Sequence, residues 1–306
     1  MLTYAARRLL IALPTLLVLV TLTFFLLHAA PGGPFDRART LPPAIEKTLA
    51  AHYHLDDTLP LQYLRYLGGL LRGDLGPSFQ HEGYSVVELI GSGFPVSLSL
   101  GLCALLLALL AGSGAGILAA LRHNRVADFG VMTLAMVGIC LPTFVVAPLL
   151  ILFFAVDLGW LPAGGWDQGV RSLLLPAVAL ALPQIAYIAR LMRGSMIEVL
   201  GSNYIRTARA KGLAAHHVIL RHALKPVLVP VLSYLGPAIA GMITGSVVIE
   251  QIFDLPGIGR YFVQAALSRD YTLVLGVVVF YGALIILCNF IVDLLYGFLD
   301  PRVRYS

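Results

Sequence analysis

Charge is what this chain has least of. Asp, Glu, Lys and Arg make up 12% of its 306 residues, against roughly a quarter in a soluble domain. With 58% hydrophobic residues and a mean hydropathy of +0.86, a water-soluble globular fold is excluded. Cysteine is scarcer still. Cys103, Cys140 and Cys288 are odd in number and lie inside apolar runs, so buried inert thiols are expected, not disulfides or metal ligands. No G-x-x-x-x-G-K-[ST] occurs, so the chain has no phosphate-binding loop with which to hydrolyse ATP. H-E-x-x-H is also missing. His52/His54 and His216/His217/His222 lack a recognised ligand spacing and read as solvated or interfacial. The serines near Gly112–Gly116 have no paired base to activate a nucleophile. Nothing marks the chain as an enzyme, and no metal or cofactor site is expected within it.

Six stretches contain no Asp, Glu, Lys, Arg or His at all: Leu9–Leu27, Leu89–Leu121, Phe129–Val156, Ser172–Ala189, Pro226–Ile249 and Tyr271–Val292. Each is near or above the roughly 20 residues a helix needs to cross about 30 Å of hydrocarbon. An all-α integral membrane protein with six transmembrane helices is therefore expected. The fourth run is short, but its helix can continue through Arg190 and Arg193, which would snorkel to the interface. The first run exceeds a secretory h-region and lacks an A-x-A site, so it reads as a retained helix. Asp128, Asp157, Glu250 and Asp293 sit at or near run ends, and His28 closes the first helix. Asp128 is most simply a dipole or cap residue. Without ionisable groups inside the spans, a proton- or sodium-driven carrier is disfavoured.

Orientation follows from the basic residues. With the N-terminus inside, the inner segments hold Arg7, Arg8, Arg122, Arg125, the seven from Arg190 to Lys225, Arg302 and Arg304, thirteen of the 21 Lys and Arg. The long outer loop 30–88 has five basic against seven acidic residues. Both termini are thus expected in the cytoplasm. The net charge of +5 is a topology signal that implies no nucleic acid.

The outer loop opens on P-G-G-P, and Pro43 suits the first position of a short helix. A second amphipathic stretch carries Leu61, Leu64, Leu67 and Leu71 on one face. These read as short helices lying on the membrane or on a partner. In the spans, G-S-G-A-G at Gly112–Gly116, with Gly130 and Gly138, favours close helix approach. Pro142 and Pro148, Pro176 and Pro183, and Pro230 and Pro237 are expected to kink the third, fourth and fifth helices.

One polar island interrupts this pattern: Y-I-R-T-A-R-A-K-G, Tyr204–Gly212. Asn203 is the expected N-cap of a short helix. Gly212 would close it in the left-handed conformation, with Leu213 supplying the hydrophobic contact. Arg209 and Lys211 fall where the helix dipole favours cations. A two-turn basic helix pinned at both ends suits gripping by another protein.

The stretch S-N-Y-I-R-T-A-R-A-K-G-L followed by V-I-L-R-H-A-L-K-P resembles the cytoplasmic EAA loop of permease subunits of bacterial ATP-binding-cassette peptide importers. The general pattern is E-A-A, three residues, Gly, nine residues, then I-x-L-P. Aligned on Gly212, Arg206, Thr207 and Ala208 fall under E-A-A, and His222 and Leu224 under I and L, with Pro226 one residue late. These departures are those of the peptide and nickel branch. V-I-E-Q-I-F-D-L-P-G-I-G-R, Val248–Arg260, with S-R-D-Y at 268–271, is similar to that branch's loop between the last two helices. T-L-P-P-A-I, G-D-L-G-P-S-F and the ending D-P-R-V-R-Y look most like the B-type subunits of oligopeptide permeases.

The resemblance implies the six-helix fold of type I importer permeases (MetI-like). Residues 1–29 would be the tail and first helix, 30–93 a periplasmic segment, and 94–306 the five-helix core with its coupling loop at 194–225. It implies a C-type permease partner, two ATPase subunits that bind ATP and Mg, a periplasmic binding protein and a peptide substrate, in the bacterial inner membrane. Dipeptides, glutathione or nickel are the alternative cargo. Asn203, Tyr204, Ile205, Arg206, Thr207, Ala208, Arg209, Ala210, Lys211 and Gly212 would form the coupling helix, with Ala208 and Gly212 closely apposed to the ATPase. Glu250, Phe253, Pro256, Gly257 and Gly259 would form a tight outer turn near the binding-protein dock. Gly241, Thr244 and Ser246 are candidates for lining the path.

Overall fold

The computed structural model describes residues 2–30, 48 and 53–299. The expected helix at Pro43, the P-G-G-P exit, His52 and the C-terminal Arg302 and Arg304 fall outside them. Among the described residues every regular element is a helix. The order is α1 (Leu2–Ala29), α2 (Leu59–Leu71), α3 (Val86–Leu121), α4 (Val126–Cys140), α5 (Thr143–Leu150), α6 (Val170–Leu200), α7 (Asn203–Ala210), α8 (Ala215–His217), α9 (Leu224–Gly245), α10 (Val247–Ile252), α11 (Ile258–Ser268) and α12 (Tyr271–Leu299). The wider turns of a π-helix extend α5 over Ile151–Asp157 and join α8 to α9 over Val218–Ala223.

Among the described residues, five helical stretches are long and apolar enough to cross a membrane: Leu10–Ala29, Val86–Leu121, Val170–Leu200, Ala215–Ile252 and Tyr271–Val292. The sixth expected span is broken. Phe129–Val156 is not a kinked helix but two pieces, α4 and α5 with its extension, meeting at 103°. The cause is Pro142. It cannot donate to the helix ladder, and it pushes Leu141 into extended backbone at φ −82°, ψ 117°. The other prolines, Pro148, Pro176, Pro183, Pro230 and Pro237, lie inside helices that continue past them.

Helix α3 starts earlier than its apolar run. Ser85 accepts from the Glu88 N–H at 3.2 Å and Glu88 accepts from the Ser85 N–H at 2.8 Å, a reciprocal cap that sets the start at Val86. The expected boundary between 93 and 94 therefore falls inside one continuous helix. Before it, Val86 N–H donates to the Gly76 carbonyl and Ser78 N–H to the Tyr84 carbonyl. Buried Asp270 caps α12 through the Leu273 N–H at 3.1 Å and takes the Ser78 hydroxyl, so the S-R-D-Y motif ties the α3 entry to the last helix. Helix α2 forms where the leucine row predicts it, with Leu61, Leu64 and Leu71 exposed.

At 36 and 31 residues, α3 and α6 are about 54 and 46 Å long, well beyond the hydrocarbon thickness. They pack along each other on a row of small residues. Ala104, Ala108, Gly112, Gly116 and Ala120 recur every four positions on α3 and are all buried. A Cβ on Gly116 would lie 2.5 Å from the Ala189 carbonyl oxygen and 2.6 Å from Met192 Cβ; on Gly112, 2.9 Å from the Ile185 oxygen. Gly114, on the other side, would meet nothing within 4 Å. The packing expectation for G-S-G-A-G thus holds for two of its three glycines. The cysteines depart from expectation: Cys103 and Cys140 are exposed on the bundle exterior and Cys288 is half-buried. In lipid an apolar side chain can face outward without cost, so an apolar run does not imply burial.

Gly116→Ala is expected to lower the melting temperature in detergent by the equivalent of about 1–3 kcal/mol of overpacking. Gly114→Ala should leave it unchanged or slightly raised. Equal effects from the two, followed by thermal unfolding of the purified protein, would contradict the seam.

Candidate functional site

Helix α6 carries the island. Its C-terminal residues lead through Gly201 and Ser202 directly into α7, and the connection is tight. Ser202 N–H and Oγ both donate to the Val199 carbonyl, at 3.0 and 2.6 Å. Ser202, not Asn203, occupies the N-cap position, and its hydroxyl is spent on the preceding helix, so α7 has no side-chain cap. Asn203 is the first helical residue, and its carbonyl accepts from Thr207 Oγ1 at 3.0 Å. The expected left-handed closure at Gly212 is present, while Leu213 is exposed. Gly212 has φ +77°. Its N–H donates to Arg209 O at 2.9 Å and the Leu213 N–H to Ala208 O at 3.4 Å, the paired bonds of a Schellman closure.

Only Ile205 and Ala208 of α7 are buried. They join a core cluster with Met196 of α6 and Val218 and Ala223 of the π-helical segment. Ala208 therefore packs inward against its own chain and is not on the face that the close apposition expected of it requires. Asn203, Tyr204, Arg206, Thr207, Arg209, Ala210 and Lys211 are exposed, and so is Gly212. Arg206, Arg209 and Lys211 make no ion pair among the described residues. The outcome is a rigid helix with an apolar inner stripe and a cationic outer face.

Two turns before the end of α6, Arg193 does not snorkel. It grips Asp128 in the first turn of α4 with both nitrogens, Nε–Oδ1 at 2.6 Å and Nη2–Oδ2 at 2.7 Å. Asp128 is 1% exposed and also accepts the Asn124 N–H at 2.9 Å. His123 Nδ1 lies 3.4 Å from its Oδ2. Asp128 is thus a bolt between the α3–α4 turn and α6, more than the simple cap expected of it. Sixty-five residues separate the partners, so no local pattern announces the pair.

At the opposite end, Glu250 of α10 is fully buried. Its Oε2 accepts the Gly259 N–H at 2.8 Å, and Ser97 Oγ of α3 accepts the Ile258 N–H at 2.9 Å, so two side chains from elsewhere cap α11. The glycines of P-G-I-G follow from this crowding. A Cβ on Gly257 would come within 2.3 Å of Glu250 Oε2, and one on Gly259 within 2.5 Å of Val247 Cα. Glu250, Phe253, Gly257 and Gly259 are buried and Pro256 half-buried, so these motif residues build the loop from inside. Asp254, held at φ +52° and paired to Arg260 at 2.8 Å, is the part of the turn that faces out.

The three path candidates separate. Ser246 is buried, its hydroxyl 2.5 Å from Glu250 Oε1, and lines nothing. Gly241 is exposed and Thr244 half-exposed, its hydroxyl turned back to the Ala240 carbonyl at 2.8 Å. With Gly241, Pro226, Pro230, Ser233 and Pro237 form one exposed face of α9. Between Leu220 and Val248 no large apolar side chain is exposed among the described residues.

A multi-helix membrane bundle with a short capped helix presented beyond one end has the architecture of an importer permease. Its fold matches the MetNI methionine ABC transporter in an inward-facing crystal form, with a TM-score of 0.59 at 17% identity over 69% of this chain and 96% of that one. The sequence agrees more closely still. Residues 112–305 match the model of the binding-protein-dependent transport system inner membrane component, and residues 1–101 that of its N-terminal region. The chain belongs to this family and is a multi-pass protein of the bacterial inner membrane. It is 56% identical over 306 residues, all of both chains, to the oligopeptide transport system permease protein OppB of Escherichia coli K12. It is 52% identical over its whole length to the Haemophilus influenzae protein of that name. It is 46% identical to the dipeptide permease protein DppB of Bacillus subtilis over 98% of this chain and 97% of that one.

Gly212→Val should loosen α7, since a positive φ costs a non-glycine residue about 1–2 kcal/mol while the open space around it excludes a clash. Gly212→Asn should be milder. Hydrogen exchange of residues 203–213 measures both, and unchanged protection in the valine variant would contradict the closure. Asp128→Ala should destabilise by about 1–3 kcal/mol, because it removes two charge-assisted hydrogen bonds while the partly exposed Arg193 can turn to solvent. Adding Arg193→Ala should recover part of that loss, as a double-mutant cycle of thermal stability will read.

Proposed function

We propose that this chain is the B-type permease of an oligopeptide importer and that α7 is its coupling helix. It assembles with a homologous C-type permease, two ATPase subunits and a binding protein. The α7 end and both termini face the cytoplasm, and the α10–α11 loop faces the periplasm. ATP and Mg reside on the ATPase subunits, and this chain catalyses nothing itself. The observation that carries the reading is the helix closed by Gly212. Its inner face is locked into the core, its outer face offers unpaired cations, and it extends a 31-residue helix. Displacement of such a helix by a partner moves α6 and, through Asp128–Arg193, the α3–α4 turn; a floppy loop would absorb the motion. Full-length identity to oligopeptide permeases supports the cargo. Dipeptide is the second reading, supported by the 46% relative. The α9 face bearing Gly241 and Thr244, free of oily side chains, is the side turned to the path.

Arg206→Glu combined with Arg209→Glu should cut ATP-driven uptake of a labelled oligopeptide at least tenfold in proteoliposomes holding the full complex. Insertion and thermal stability should be unchanged, because both side chains are exposed. Uptake at the normal rate would refute the coupling role.

A further inference from the structure

The exterior of the bundle is oily on some faces and not on others. Outward positions on α3 and α4 include Leu102, Leu106, Leu110, Phe129, Leu134 and Met136, side chains suited to lipid. Between Leu174 and the end of α6, the sole exposed large apolar side chain among the described residues is Tyr187, which carries a polar hydroxyl. This bare strip of α6 lies beside the bare face of α9, and together they carry a small polar constellation. The Arg190 guanidinium carbon stands 5.1 Å from the centroid of the Tyr187 ring. Tyr187 and Tyr234 have centroids 5.8 Å apart with planes 33° from each other. The Tyr234 hydroxyl donates to Gln184 Oε1 at 2.5 Å.

Membrane lipid tails satisfy none of these groups. Arg193, one turn on, is consumed by Asp128, but Arg190 is exposed and has no carboxylate partner among the described residues. It folds over an aromatic face toward the uncharged part of α6, where a purely snorkelling side chain would extend the other way. Cation–π contact holds the fork in place without using its hydrogen-bond donors. Gln184 accepts from Tyr234, and its amide N–H groups make no hydrogen bond within the described chain. Gly194, one turn beyond Arg190 on this face, is exposed with nothing within 4 Å of its Cβ position, so no side chain covers the strip there.

We propose that Gln184, Tyr187, Arg190 and Tyr234 form a peptide-binding station on the α6–α9 face. Arg190 holds the peptide's terminal carboxylate, Gln184 donates to a peptide carbonyl, and the two tyrosine rings form a side-chain-tolerant shelf. The charge is complementary: an unpaired guanidinium favours an anion, and every free peptide carries one at its C-terminus. Rings and an amide are indifferent to side-chain identity, which suits varied peptides. The station rests on the importer reading given above and assigns the α6 surface a role in it.

The test uses the complete complex in proteoliposomes and a tripeptide supplied with a free carboxylate or as its C-terminal amide. Arg190→Gln is expected to lower the ratio of free-acid to amide uptake about tenfold, the loss of one charge-assisted hydrogen bond. Arg190→Lys should retain most of the ratio. Equal loss for both substrates, or an unchanged ratio, overturns the station. In a second arm, Tyr187 is replaced by a photoreactive benzoylphenylalanine and irradiated during turnover. A covalent adduct with the peptide is expected; adducts only with lipid or with the second permease overturn the proposal. Absence of ATP-dependent peptide uptake by the wild-type complex would strike the importer reading itself, whereas normal wild-type uptake with negative results in both arms strikes only this station.

Discussion

The close approach of α3 and α6 is the constraint on which the rest of this molecule depends. In lipid there is no hydrophobic drive to bring two apolar helices together, so contact must come from backbones near enough for dispersion to accumulate. The Gly112 and Gly116 positions, with Ala104, Ala108 and Ala120 in the same row, permit that approach. Both helices outrun the membrane, so the seam fixes structure at both ends of the bundle at once. At one end it steadies the part of α6 that carries α7 and places Arg193 against Asp128. At the other it brings Ser97 of α3 to the first turn of α11.

Polar groups are few, and almost every buried one is used to end or join helices. Glu250 and Ser97 satisfy the N–H groups of α11, Asp270 those of α12, and Ser85 with Glu88 those of α3. This is what a hydrocarbon setting demands, because an unsatisfied backbone group there costs several kcal/mol. The bundle is thereby rigid where helices turn. The break at Pro142 is the counterpart, a place where one apolar run is divided into two short helices at 103°.

Much of this was legible in the residues. Long uncharged runs announced the spans, because a helix in lipid must be apolar along its whole length. The closure of α7 was readable at Gly212, since a left-handed residue after a basic turn favours glycine for a local steric reason. Its start was not: Ser202 and Asn203 are both good caps by type, and only the path of the chain out of α6 decided that Ser202 would bond backward to Val199. The loop motif around Glu250 was visible as a pattern, yet Glu250, Phe253, Gly257 and Gly259 turned out to be buried. A motif reports that residues are required; it does not say whether the requirement comes from a partner or from the chain itself.

By itself, the sequence determined an all-helical membrane bundle, the placement of most spans, and the capped basic helix between two of them. Those features depend on hydropathy, proline and glycine sterics, and caps, all acting within a few residues. Tertiary structure alone decided that Asp128 meets Arg193, that Glu250 and Ser97 share the start of α11, and that Tyr187 lies beside Tyr234 and beneath an unpaired Arg190. Partners tens of residues apart or more meet through the register of packed helices. That register is set by which small residues allow close approach, and no short window of the chain contains it.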